Sequence, residues 1–211
     1  MTQQRTKSNK LPLHTTPRGR TSWLKLWTPD TKFNVDGEYG GKLIMDNSDA
    51  TELMEMLDAA HTLAVDAAVE ETGKARNKIR VTDPYEVDQE TGDVTIKLKL
   101  KAKVTTKDGK TFDQKPAVFD AKRQPIAKEI PLWNGSLVRI SFQIIPYYTA
   151  LAGAGLSLRL RNAQVIEALA GGGDSASMFD DEDGYVHVAS TVAPEAQTFQ
   201  EETDDFDDVP F

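Results

Sequence analysis

The 211-residue chain contains no cysteine. Disulfides, thiolate metal sites and cysteine nucleophiles are therefore excluded, which fits a reducing cytosol. No segment approaches the roughly 20 apolar residues that a membrane helix needs. The N-terminal stretch ending at Arg20 has basic residues but no apolar run behind them, which argues against a secretory signal. Histidines are few: His14, His61 and His187 fall too far apart in the predicted elements to suggest a three-histidine metal site. No phosphate loop is present, and Gly153-Ala154-Gly155 lacks the third glycine of a dinucleotide fingerprint. Asp181-Glu182-Asp183-Gly184 fails as a calcium loop, because Phe179 and Ser190 occupy the first and last ligand positions. No serine or acid pair stands out as catalytic, so neither an enzymatic residue, a metal nor a cofactor is expected.

The remaining absence is positional. No Lys or Arg follows Arg161, whereas 13 acidic residues lie from Asn162 onward. The net charge of −8 thus divides unevenly, since the first 161 residues hold 25 bases against 20 acids, a net of +5. A mildly basic body joined to a strongly acidic tail predicts a different partner for each part.

Three regions are expected: a flexible basic N-terminal arm over 1–17, a folded body over 18–170, and a disordered acidic tail over 171–211. In the body, Thr21–Trp27 reads as a strand with Leu24 and Leu26 on one face and Trp23, Lys25 and Trp27 on the other. Tyr39–Met45 is a second strand. Between Asp49 and Thr72 the period becomes helical, with Leu53, Met56, Leu57, Ala60, Leu63, Ala64 and Ala67 as the apolar stripe. Asp49 and Glu52 are spaced as a capping box, and Gly73 ends the helix. From Val94 to Val104 the chain alternates without a fault, then turns at Asp108-Gly109 into a partner strand around Thr111–Phe119. Phe112, Phe119 and Phe142 read as core. Two more strands follow, Val138–Ile144 and Leu156–Arg161, separated by Pro146-Tyr147-Tyr148 and the Gly153–Gly155 turn. Half-buried strands with one helix inserted among the early ones predict a mainly β fold, a small Greek-key barrel of OB type.

Three groups of residues suggest chemistry. Lys97, Lys99, Lys101 and Lys103 lie on one face of one strand about 6–7 Å apart, a spacing suited to successive backbone phosphates of an extended single strand. Arg139, Arg159 and Arg161 occupy polar positions of other strands, and Lys25 sits between two tryptophans. The plain alternative is a solvated outer face, but the polar side of the Lys97–Lys103 strand carries no acid. The second group is aromatic: Trp23, Trp27, Tyr147 and Tyr148 share faces or loops with cations. Single-strand binders stack bases on such rings, worth roughly 1–3 kcal/mol per base. The third group is the tail tip, where Asp204, Asp205, Asp207, Asp208 and Phe211 suit a basic pocket with an apolar hole on a partner protein.

Several motifs, in this order, resemble the single-stranded DNA-binding proteins of lytic tailed phages, over about Tyr39 to Phe211. They are the Ala-rich helix with Ala59-Ala60-His61 and Ala67–Glu71, the Lys-alternating strand, Pro116–Lys122, Ile145–Tyr148, and the glycine-rich end leading to an acidic tail that finishes in Phe. The resemblance implies an OB-fold that protects single strands during phage replication and recombination in the cytoplasm of the infected bacterial host. It also implies a tail that contacts replication proteins such as polymerase and helicase/primase, and that competes with DNA for the basic groove. The tip Asp207–Phe211 also looks like that of bacterial single-stranded DNA-binding proteins, so host proteins that read such tips are expected partners. Tails of this kind can mediate dimer contacts by charge, which leaves a homodimer open. Two rival readings remain at this level: a protein-interaction adaptor that never meets DNA, and a metal-dependent nuclease. The nuclease is disfavoured because the acids concentrate in a segment unable to hold a preorganised site.

Overall fold

A computed structural model describes residues 11–32, 34–106 and 108–169. Its strands are β1 (His14–Thr15), β2 (Gly19–Asp30), β3 (Glu38–Met45), β4 (Glu86–Val87), β5 (Val94–Lys101), β6 (Lys103–Thr105), β7 (Thr111–Asp113), β8 (Ala117–Phe119), β9 (Leu137–Thr149) and β10 (Gly153–Glu167). Among the described residues one long helix, α1 (Asn47–Thr72), joins β3 to the β4–β5 region. The sheet order β9-β2-β3-β5-β10 returns to β9 through a long β9–β10 ladder, so the strands close on themselves. All of these pairings are antiparallel except β5–β10, which is parallel. A closed Greek-key barrel of five strands is the OB architecture.

Alternation explains why these segments are strands. Val94, Ile96, Leu98 and Leu100 of β5 are buried, and Val138, Ile140 and Phe142 of β9 are wholly enclosed. Leu158 and Leu160 of β10 meet them, together with Leu43 and Met45 of β3. Helix α1 lies across β9 and β10, sending Leu53 and Leu57 into this core. Its later residues Val65 and Ala68 form a second cluster with Ile79 and Ala154.

Several sequence expectations are corrected by the packing. The helix starts earlier than Asp49, because the amides of Asp49 and Ala50 both donate to the carbonyl of Asp46, which is the N-cap residue. No side-chain cap forms there, so the expected capping box is absent. The buried stripe is Ala50, Leu53, Leu57, Ala64, Val65 and Ala68, and Leu63 is exposed. The strand expected over 94–104 breaks at Ala102. The Ala102 amide donates to the Gly37 carbonyl and its own carbonyl accepts from the Gln114 amide, which draws the chain out of the β5 ladder. Beyond it, β6 and β7 form a separate hairpin. The partner strand expected over 111–119 is accordingly two strands, since β8 pairs with β10 instead. Phe112 rides on the small hairpin and is exposed, not core. Pro146-Tyr147-Tyr148 does not separate strands: β9 continues through it, with Pro146 opposite Leu156. Finally, His14 and Thr15, assigned to the flexible arm, pair with Phe142 and Ser141 of β9, and the His14 ring lies 5.8 Å from that of Phe142. Residues 1–10 and 170–211, which carry the first ten residues of the expected arm and all of the expected tail, lie outside the described residues.

Candidate nucleic-acid interface

The basic face is built by register across strands. On β5, Lys97, Lys99 and Lys101 are exposed between buried neighbours. Lys97 stands opposite Lys42 of β3, and Lys99 is flanked by Gly40 of β3 and Arg159 of β10. Lys101 stands opposite Glu38. Lys42 forms an exposed ion pair with Glu86 at 3.4 Å, so its charge is partly answered. A groove of about 730 Å³ runs beside this face, bordered by Lys97, Lys99 and Lys101 on one side and by Tyr85, Tyr147 and Leu156 elsewhere. Tyr85 donates its hydroxyl to Asp58 of α1 at 3.0 Å. Burial, then this carboxylate, pushes the Tyr85 hydroxyl above its ordinary pKa, so it stays a neutral donor on the groove wall.

The second feature is a distortion of β2. Ser22 pairs with Lys42 and Lys25 with Gly40, so Trp23 and Leu24 together face Gly41, a β-bulge. Trp23 takes φ 54°, a left-handed conformation that bulky residues rarely adopt, at a cost of order 1–3 kcal/mol. Its backbone amide donates to Asn134 Oδ1 at 2.7 Å. Next to it, the Thr21 hydroxyl donates to the Trp133 carbonyl at 2.9 Å, and the Gly135 amide donates to the Thr21 carbonyl at 2.8 Å. Gly41 leaves room for the bulge, because a Cβ there would stand 2.6 Å from Leu24 Cα. The outcome is a tryptophan side with 77% of its surface exposed. It borders a hollow of about 370 Å³ that it shares with Lys25, Asn34, Tyr39 and Lys97. Lys97 therefore borders both depressions.

The remaining sequence candidates divide. Lys25 is exposed but ion-paired with Asp30 at 3.0 Å. Trp27 is half-buried against the core, with its indole Nε1 enclosed and without a hydrogen-bond partner. Tyr147 borders the groove, whereas Tyr148 packs on the second cluster below α1. Arg161 is exposed where the β9–β10 register slips between Leu160 and Asn162. Lys103 is exposed on the small hairpin, in a different sheet from Lys97–Lys101. Arg139 donates to the Thr16 carbonyl at 3.3 Å and borders a separate hollow with Arg123 and Phe119. Asp204, Asp205, Asp207, Asp208 and Phe211 lie outside the described residues. Lys42, Tyr85 and the exposed Trp133 were missed by sequence reasoning. Register places Lys42 and a loop places Tyr85, and neither leaves a periodic signal; Trp133 was legible only as the residue before the Asn134-Gly135 turn.

The barrel is similar to known structures. That of gp2.5, a single-stranded DNA-binding protein encoded by bacteriophage T7, superposes with a TM-score of 0.69 at 24% identity, over 85% of this chain and 100% of that one. The single-stranded DNA-binding protein of bacteriophage Enc34, in complex with ssDNA, superposes with a TM-score of 0.52 at 14% identity, over 74% of this chain and 87% of that one. At such identities the similarity concerns the fold. No curated protein sequence matches the chain. The sequence itself matches the family described as "Enterobacter phage Enc34, ssDNA-binding protein" over residues 14–187, which spans the whole barrel, and the chain belongs to that family of phage single-stranded DNA-binding proteins.

Proposed function

We propose that the chain binds single-stranded DNA, largely without sequence preference, and that it has no catalytic role. The observation that carries this reading is the run of Lys97, Lys99 and Lys101 along β5 with Arg159 in register beside Lys99, all bordering or adjoining one aromatic-walled groove. Cations at strand spacing follow a phosphate backbone, and rings beside them offer stacking that every base can use. Family membership supports the same ligand.

The biological setting in this reading is protection of single strands during phage replication and recombination, in the cytoplasm of the infected host, and membership of a phage single-stranded DNA-binding family supports it. The body over 18–170 grips DNA, and the tail over 171–211 recruits replication proteins through Asp204, Asp205, Asp207, Asp208 and Phe211. Those acids also compete with DNA for the Lys97 face. Among the described residues no helix is long and apolar enough to cross a membrane.

The test is a fluorescence-anisotropy titration of a 30-nucleotide single strand and its duplex with the full chain, over a series of salt concentrations. Expected are tight binding to the single strand, weaker binding to the duplex, and a log–log salt slope of about −0.7 per phosphate contacted. The triple variant K97E/K99E/K101E is expected to abolish binding. Equal binding by that variant would overturn the reading, and no binding by either protein, with or without residues 174–211, would favour an adaptor that engages proteins alone.

A further inference from the structure

We infer that Asp83, Tyr85 and Glu86 form an acceptor-only wall of the groove that favours bases with amino groups on their edges, cytosine over thymine. The inference rests on the single-strand reading above and adds to it a base preference and the residues that set it.

The wall is a span anchored at both ends. The Thr82 amide donates to the Ala154 carbonyl at 2.9 Å, and the Thr82 hydroxyl donates to the Ala152 carbonyl at 3.2 Å. At the other end Glu86 pairs with Thr95 of β5. Between the anchors Pro84 holds its own φ near −65°. Asp83, Tyr85 and Glu86 border the same groove as Lys97, Lys99 and Lys101. Asp83 is exposed and has no ion pair among the described residues. Burial and Asp58 do most to raise the pKa of the Tyr85 hydroxyl, and the Asp83 charge adds to them, which sets that carboxylate near the phenol. Glu86 is paired with Lys42 at 3.4 Å, an exposed contact that leaves lone pairs open. Tyr85 spends its hydrogen on Asp58, so its oxygen too meets the groove as an acceptor.

Carboxylates on the rim of a groove for phosphates alone would weaken it, because each repels the backbone. A nucleotide has a second end. With its phosphate on the lysines, its base edge lies toward the span, where an acceptor can take the N4 amino group of cytosine or the N6 amino group of adenine. Thymine offers carbonyl oxygens on both sides of its one ring N–H, and acceptors repel them. The discrimination is one of polarity, not of size.

The test titrates the full chain with 30-nucleotide oligo(dC) and oligo(dT) by anisotropy at about pH 8, where cytosine is unprotonated. The quantity read is the ratio of the two dissociation constants, because a change of groove charge alone moves both together. Wild-type protein is expected to bind oligo(dC) about fivefold more tightly, the low end of what a base-edge contact discriminates. The double variant Asp83→Asn with Glu86→Gln keeps side-chain size, and its amides donate as well as accept. It should bind both strands more tightly and bring the ratio near one. Tyr85→Phe, which removes the third acceptor, should lower the ratio partway. No preference for oligo(dC) in the wild type, or an unchanged ratio in the double variant, would overturn the inference. Loss of affinity for both strands in Lys99→Glu would then leave the single-strand reading intact. Equal binding by wild type and Lys99→Glu would overturn the two together.

Discussion

Lys99 and Arg159 are partners in the parallel ladder between β5 and β10, and on its other side Lys99 faces Gly40, which has no side chain. Adjacent strands lie about 4.8 Å apart, so two exposed cations stand side by side. Like charges so placed repel, and a phosphate between them relieves the repulsion.

Reversing either charge should therefore reduce the number of phosphates held. Lys99→Glu and Arg159→Glu are each expected to make the log–log salt slope shallower by about 0.7 or more, with the double variant departing from additivity because the two share a ligand. Anisotropy titrations across salt would show it. Unchanged slopes would mean that the DNA takes another path.

Asp30 offers the opposite experiment. The Lys32 amide, and after it the Lys25 ammonium, hold the Asp30 carboxyl below its ordinary value of 3.8. The folded state thus favours the ionised form. Its contribution is complete above about pH 3.8 and is lost as pH falls through the lower folded value. Near neutral pH Asp30 is therefore ionised, and its carboxylate stands 3.0 Å from the Lys25 ammonium as a competitor for any phosphate that approaches it. Asp30→Asn is expected to tighten single-strand binding by up to about fivefold, the worth of one exposed ion pair, at low salt and evenly from pH 6 to 8. Weaker binding in this variant would show instead that the carboxylate itself contacts the base.

Gly40 and Gly92 separate backbone strain from collision. Both have positive φ, but a Cβ at Gly40 would stand 2.1 Å from the Leu98 carbonyl, whereas one at Gly92 meets nothing within 4 Å. Gly92→Ala should cost about 1–2 kcal/mol, the left-handed penalty alone. Gly40→Ala must in addition push β3 away from β5, and a loss of about 3–5 kcal/mol is expected. Urea denaturation followed by circular dichroism would measure both.

Period-2 alternation made β5 legible, because Lys97, Lys99 and Lys101 carry their own pattern regardless of partners. The same pattern misled at Lys103. Its alternation continues past Ala102, but two backbone hydrogen bonds to Gly37 and Gln114 hand the chain to another sheet, and hydrogen-bond partners leave no trace in side-chain order. Trp23 and Trp27 looked equivalent around Lys25. The bulge that separates an exposed ring from a half-buried one depends on Gly40-Gly41 of a different strand. Lys42 joins the basic face only through register, which a linear reading does not supply, whereas the alternation of β10 already marked Arg159 and register sets it beside Lys99. Pro146 suggested an interruption because it has no backbone N–H to donate, yet β9 runs through it to Thr149.

The parallel seam also orders events during synthesis. Among the described residues β10 is the last strand made, and it supplies partners to β5, β8 and β9 at once. Until the ribosome has released it, β5 presents an unpaired edge at Leu98 and Lys99, beyond its pairing with β4, and the row of lysines has no arginine beside it. A chain interrupted before Gly153 would thus carry lysines without the finished surface, and an open edge that invites pairing with other chains. Competence to bind and protection from aggregation arrive together, with the closing strand.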